Sequence, residues 1–256
     1  MSKGSASWRM AMVSHVGQVR LRNEDCVACD ETRGLAVLAD GMGGHAGGAE
    51  AARMAVLTWM DRLHAVEEGM LVEDDLRHAA HLANRAVFMA GRRDPGLRGM
   101  GSTLVAGCFR ADGVLLVANV GDSRLYRLRG DVLECLTRDH SVLRARCDAG
   151  MIGAASEGPP ALRGLLTRAI GVEAEVVPDV GAFAVEPNDH YLLCSDGLTD
   201  MVPDVDIAEI LATLGASPQV AAKHLVDLAN DRGGMDNVSV VVVSSCASVR
   251  LGTELG

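Results

Sequence analysis

Apolar residues arrive in this chain in short runs, most of them closed by a glycine or an acid, and that rhythm predicts strands interleaved with helices. Residues 7–13 alternate weakly and predict a first strand. The run LAVLA at 35–39 reads as a buried strand, because it is short, wholly apolar and halted by Asp40 and Gly41. Ala52, Ala55, Val56, Trp59, Met60 and Leu63 then follow helical spacing and predict an amphipathic helix to about His64. Leu76, Ala79, Ala80, Ala83, Val87 and Ala90 repeat the spacing, with Glu73, Asp74 and Asp75 at the start, where the helix dipole favours acids.

The middle of the chain is β-rich. Residues 103–109 and 114–120 flank Asp112-Gly113, a strong hairpin signal, and 124–128 turns through Gly130-Asp131 into 132–136. The four runs read as one antiparallel meander. From Ser141 the pattern weakens to a helix-like segment ending near Gly150, then GAASEGPPALRG, a composition that predicts a surface flap over about 141–164. Strand signals resume at 165–170, 175–185 and 190–194, the last halted by Ser195-Asp196-Gly197, with a helical segment after Asp200. Helices over 204–214 and 217–230, the second opened by Ser217-Pro218, lead to Asp236-Asn237 and a final strand at 238–243.

Length and composition narrow the class. The 256 residues are enough for one large domain with a sizeable core, and nothing argues for two, so 1–256 is read as a single domain. A formal charge of -10 sets nucleic acid and anionic membrane aside as partners, while clustered acids go together with cations. No apolar run approaches a membrane span and the first ten residues lack the apolar core of a signal peptide, so a cytoplasmic protein is expected. Seven cysteines, mostly inside apolar runs, suit reduced thiols. Cys26 and Cys29 form a lone C-x-x-C with no second pair to complete a zinc site, and on a strand they would face opposite sides. His64, His78 and His81 fall on the two helices without acid or cysteine companions and read as surface or packing residues.

The chemistry gathers at strand ends. Three apolar strands carry carboxylates there, Asp40, Asp196 and Asp236, and Glu24 sits beside a fourth. If the strands lie side by side in one sandwich, their ends collect these oxygens into a site for two divalent ions about 3.5–4 Å apart. Oxygen donors with no cysteine and little histidine among them favour Mg2+ or Mn2+ over zinc. Gly41, Gly43 and Ala46 also fit the dinucleotide fingerprint G-x-G-x-x-A after a strand. Against that reading, Asp40 would set a negative charge beside the pyrophosphate, and Asp61, about 20 positions on, falls in a helical pattern. Arg20, Arg22, Asn23, Glu24 and Asp25 alone read as a charged turn, and Asp122 and Asp139 alone as turn acids.

Together these segments resemble a known family. Gly17-x-x-Arg20-x-x-Asn23-Glu24-Asp25, Asp40-Gly41-Met42-Gly43-Gly44-His45, Gly101-Ser102-Thr103, Gly121-Asp122-Ser123-Arg124, Asp139-His140-Ser141, Leu166-Thr167-Arg168-Ala169-Ile170-Gly171, Ser195-Asp196-Gly197-Leu198-Thr199-Asp200 and Asp236-Asn237 stand in the order found in the PPM metal-dependent protein phosphatases. These are also called type 2C Ser/Thr phosphatases, and the likeness is to their compact bacterial form, across most of the chain. The resemblance implies an α+β, four-layer α/β/β/α fold, two antiparallel sheets face to face with helices outside and metals at one edge.

It also implies roles. Asp40 would bridge two Mn2+ or Mg2+ ions, Asp196 and Asp236 would complete one, and Glu24 with the Gly41 carbonyl would bind the other, while Arg20 would hold the phosphate. A water shared by two metals would attack phosphorus in line, with no protein nucleophile. His45 is the candidate acid for the departing alkoxide, on proximity alone, with His140 as alternate. Asp122, Asp139 and Asp200 sit in motifs like those that contribute to a third metal, and Asp25 would orient metal-bound waters. His15 stands where relatives often have Asp, Met42 where eukaryotic relatives place a histidine, and the flap lacks the His-Pro of many bacterial members. The implied substrates are phosphorylated proteins, the implied counterpart a Ser/Thr kinase, with control of type VI secretion as one setting and a monomer as the expected state. A phosphoprotein-binding pseudophosphatase and a small-molecule phosphoesterase on the same metal site are the alternatives; the complete acid set argues against the first.

Overall fold

The computed structural model describes residues 7–43, 47–67, 69–152, 159, 162 and 164–246. The apolar run at 35–39 lies in strand β3 (Leu35–Met42), and its two faces meet different layers. Leu35, Val37 and Ala39 pack against two helices, α1 (Gly47–His64) and α2 (Glu73–Arg93), whereas Ala36 and Leu38 pack against a second sheet. Side chains alternate along a strand, so a continuous apolar run marks a sheet covered on both sides.

The sheet that holds β3 runs β2 (Asp25–Asp30), β3, β5 (Leu104–Phe109), β6 (Val114–Val120) and β9 (Asp179–Ala184), with the short β4 (Gly101–Ser102) paired to the end of β3. The facing sheet runs β1 (Ser7–His15), β11 (Val238–Cys246), β10 (His190–Cys194), β7 (Arg124–Arg129) and β8 (Val132–Cys135). All these pairings are antiparallel. Between the sheets, Phe109 sits 5.1 Å from the ring centres of both Trp8 and Tyr191. On the far side of the second sheet, α5 (Asp204–Leu214) and α6 (Pro218–Asp231) bury Ile207, Leu211, Ala222 and Leu225 against Leu192, Val240 and Val242. The layering is the expected α/β/β/α sandwich. Its antiparallel sheets contain no parallel βαβ unit among the described residues, which removes the dinucleotide reading. Cys26 packs toward the helices and Cys29 between the sheets, so the C-x-x-C does not form one site.

Four expectations need correction. The runs from 103 to 136 are not one meander: β5 and β6 belong to the first sheet and β7 and β8 to the second. The chain crosses between them at Gly121, whose φ of +109° is open to glycine and strained for other residues. Residues 165–170 are not a strand and make only isolated bridges, Leu166 to Ser141 and Ile170 to Ser102. Asp196 does not wait for a helix after Asp200; it opens a helical turn, α4 (Asp196–Thr199), where an acid meets the positive end of the helix dipole. The signal at 175–185 shortens to β9, because only that stretch pairs with β6. Of the flap read over about 141–164, residues 153–158, 160, 161 and 163 lie outside the described residues. Its root is α3 (Val142–Asp148), capped by Ser141 Oγ and zipped to the returning chain by Val142 N–H to the Leu165 carbonyl at 2.8 Å.

Candidate active site

Antiparallel pairing brings the end of one strand beside the start of the next, and that places the acids. In the β2–β3 register Asp25 stands directly opposite Asp40. Along β3, Asp40 shares the face of Ala36 and Leu38, so both carboxyls point into the space between the sheets. In the facing sheet Asp196 follows the end of β10 and Asp236 precedes β11, its antiparallel neighbour. Asp122 lies in the crossing from β6 to β7 at the same edge. Glu24, Asp40, Gly41, Asp122, Asp196 and Asp236 line one cavity of about 740 Å³, together with Arg20. The convergence read from the strand ends is therefore present.

Backbone contacts fix this edge. The Asp40 N–H donates to Thr103 Oγ1 at 2.9 Å, and its carbonyl accepts from Thr103 N–H at 2.8 Å and from Ser102 Oγ at 2.9 Å. Gly41 lies so close to the first turn of α1 that a Cβ there would stand 2.1 Å from the Gly48 carbonyl oxygen. A Cβ at Gly48 would in turn stand 2.0 Å from Glu24 Oε2, so both glycines are needed for this approach. Asn237 holds the Arg20 loop: its Nδ2 donates to the carbonyls of Val16 and Arg22 at 2.9 Å, and its Oδ1 accepts the Glu24 N–H at 2.8 Å. Asn237→Ala leaves three backbone groups without these partners, and is expected to cost about 2–3 kcal/mol of stability and to raise the Mn2+ concentration needed for half-maximal activity about 10–100-fold. Urea melts and a metal titration of hydrolysis check this; wild-type values in both would overturn the bracing role.

The charges are crowded. Loss of water around the carboxyl is the leading cause of a raised pKa at Asp40, Asp196, Asp122 and Asp25 alike. Asp40 is pushed well above the usual carboxylate range, with the charges of Asp25, Asp196, Asp122 and Asp236 adding to the burial. Asp196 is pushed up to about 8, and Asp25 and Asp122 to about 6. Arg20 is the cation opposed to them, its Nη2 donating to Asp236 Oδ2 at 2.6 Å. Asp25 accepts from Ser195 Oγ at 3.0 Å through one oxygen, while its buried Oδ1 has no hydrogen-bond partner among the described residues. Among the described residues no three His, Cys, Asp or Glu side chains form a ready-made metal cage. The fit to a cation rests instead on this crowding, the unpaired Oδ1 and the donor chemistry, which is oxygen only and suits Mg2+ or Mn2+.

The remaining residues named from the sequence divide. His45 lies outside the described residues. His140, its alternate, is enclosed: Nδ1 accepts from Gly121 N–H at 3.2 Å and Nε2 lies 3.1 Å from Asp179 Oδ2. With both ring nitrogens engaged it braces the crossing that carries Asp122 and does not fit a free acid. Asp139 is clamped by Arg124 through two bonds of 2.9 and 2.7 Å. Asp122 and Asp200 both act on Asp196. Sequence reading gave no role to Ser102, Thr103, Ser195 or Asn237, although all four stand in the quoted motifs; the signal was their fixed place beside each acid.

A two-sheet sandwich with an oxygen-only acid cluster and an arginine at one edge fits a metal-dependent phosphoesterase. Residues 14–228 match the Protein phosphatase 2C family, and the chain belongs to it. It is 36% identical over 236 residues to the serine/threonine phosphatase stp of Listeria innocua, covering 89% of this chain and 92% of that one. Among solved structures it resembles PppA, described as a key regulatory component of T6SS in Pseudomonas aeruginosa, with a TM-score of 0.82, 36% identity and coverage of 94% and 99%. The catalytic domain of the serine/threonine phosphatase PstP, solved with two manganese ions, gives a TM-score of 0.83 at 36% identity, covering 95% of this chain and all of that one. The protein is thus a metal-dependent serine/threonine protein phosphatase, a hydrolase of phosphoric monoesters whose substrates are phosphorylated proteins. No helix among the described residues is long and apolar enough to cross a membrane.

Proposed function

We propose that residues 1–256 form one catalytic domain in which Asp40, Asp196, Asp236, Glu24 and the Gly41 carbonyl hold two Mn2+ or Mg2+ ions and Arg20 receives the phosphate. The observation that carries this reading is the convergence of these oxygens and Arg20 on one cavity. When bound, the cations would activate a water for attack on the phosphoester and offset charge on the phosphoryl oxygens. Arg20 presents a planar fork that pairs with two phosphate oxygens, in competition with Asp236. Asp25, which stands opposite Asp40 in the strand register, acts from behind the ligands and would orient metal-bound water. His45 protonates the departing serine or threonine oxygen. Asp122 and Asp200 are the candidates for a third ion, with Asp139 one step removed behind Arg124. The cellular counterpart is a Ser/Thr kinase, and the likeness to PppA supports a setting in type VI secretion control, with the protein acting as a cytoplasmic monomer.

The test is hydrolysis of a phosphothreonine peptide and of p-nitrophenyl phosphate with Mn2+ or Mg2+, and again in excess chelator. Hydrolysis only with metal, and a higher kcat/KM on the peptide, is expected. Turnover that persists in chelator would overturn the metal assignment, and preference for the small ester would overturn the protein substrate.

A further inference from the structure

The loop that carries Arg20 displays side chains that the phosphate chemistry leaves unused. Val19, Leu21 and Arg22 line the same cavity as Asp40, Asp196 and Asp236. Leu21 is 99% exposed and Val19 55%. A single exposed leucine needs no explanation; this pair sits on a loop that is held in place beside the cluster. Gln18 N–H donates to the Gly234 carbonyl at 2.7 Å, Asn23 Nδ2 to Ser14 Oγ at 2.6 Å, and Asn237 Nδ2 to the Arg22 carbonyl at 2.9 Å. Met42 and Leu166 add apolar surface to the cavity. Arg20 is paired with Asp236, whereas the Arg22 side chain has no ion pair or hydrogen bond among the described residues.

Size and charge together point to the occupant. Two to three residues of extended chain span about 7–10 Å, comparable to the width of a cavity of about 740 Å³, so a phosphate group alone fills only part of it. We propose that Val19, Leu21 and Arg22 form a docking strip for the polypeptide around the phosphoresidue, selecting substrates with an apolar and an acidic residue within a few positions of it. The inference rests on the placement of the phosphate at Arg20. Leu21 and Val19 gain by covering the apolar surface of a side chain next to the phosphoresidue. Arg22 attracts a carboxylate at the rim, where the negative floor is offset once divalent cations are bound.

The experiment compares kcat/KM, with Mn2+ present, on phosphothreonine peptides whose neighbours are glycine, leucine, glutamate or lysine, each normalised to the same enzyme's rate on p-nitrophenyl phosphate. For the wild type, a leucine neighbour is expected to raise the ratio about tenfold over glycine and glutamate about threefold, the latter shrinking at high salt. Leu21→Ser combined with Val19→Ser should erase the leucine advantage, and Arg22→Glu should turn the preference from glutamate to lysine neighbours. Metal-dependent hydrolysis indifferent to the neighbours, or preferences unmoved by these substitutions, would overturn the docking strip alone. Absence of hydrolysis on every substrate would overturn the site assignment and the strip with it.

Discussion

Asp40→Asn is expected to lower metal-dependent kcat by at least about 10²–10³-fold and, in excess chelator at pH 8, to raise the melting temperature. The two effects have opposite signs for one reason. Asp40 stands in register with Asp25 and within the fields of Asp196, Asp122 and Asp236, so in the metal-free protein its carboxyl opposes folding at any pH where the unfolded chain ionises it. Asn keeps the shape and removes that cost, expected to be about 1–2 kcal/mol, or a few degrees. The backbone hydrogen bonds of residue 40, through its N–H and carbonyl, survive the change. Steady-state kinetics and melts of the same preparation test both halves. Activity within about tenfold of the parent would remove Asp40 from the metal set, and a fall in metal-free stability would contradict the crowding that defines the site.

The acids were legible because each lies where an apolar run stops or starts, and a carboxylate at the end of a buried strand has few structural uses. The run LAVLA at 35–39 marked a buried strand, while the four layers came from the family resemblance of the motifs and not from the apolar pattern. What sequence did not carry is pairing. The Asp25–Asp40 register depends on which strands meet, and nothing in the local pattern of 25–30 or 35–42 states it. The false meander has the same origin: a turn that keeps the chain in one sheet at Asp112-Gly113 and a turn that sends it to the other at Gly121 use the same residue types. The braces were visible as motif members and silent about their task, because Thr103 and Asn237 act on backbone atoms far away in the chain. His140 reads from sequence only as the alternate to His45; the fold shows its two nitrogens held by Gly121 and Asp179.

The stabilisation conferred by Mn2+ is expected to grow with pH between about 5.5 and 8. Asp25 and Asp122 rise to about 6 and Asp196 to about 8 in the folded protein, against about 3.9 in the unfolded chain. Between those values the folded state holds protons that the unfolded state has released, so metal-free stability is greatest below the unfolded pKa and falls as pH rises through the folded ones. A divalent cation must displace the same protons, and its affinity therefore climbs as they leave. Each proton displaced is worth about 1.4 kcal/mol per pH unit at fixed Mn2+, or about 3–5 °C in melting temperature for a chain of this size. Melts with saturating Mn2+ and with chelator, taken in steps from pH 5.5 to 8, give the increment directly. Asp196→Asn should flatten its slope, since that substitution removes a carboxyl that titrates at about 8. An increment that is constant with pH, or that shrinks as pH rises, would mean that the cation binds elsewhere than at these carboxylates.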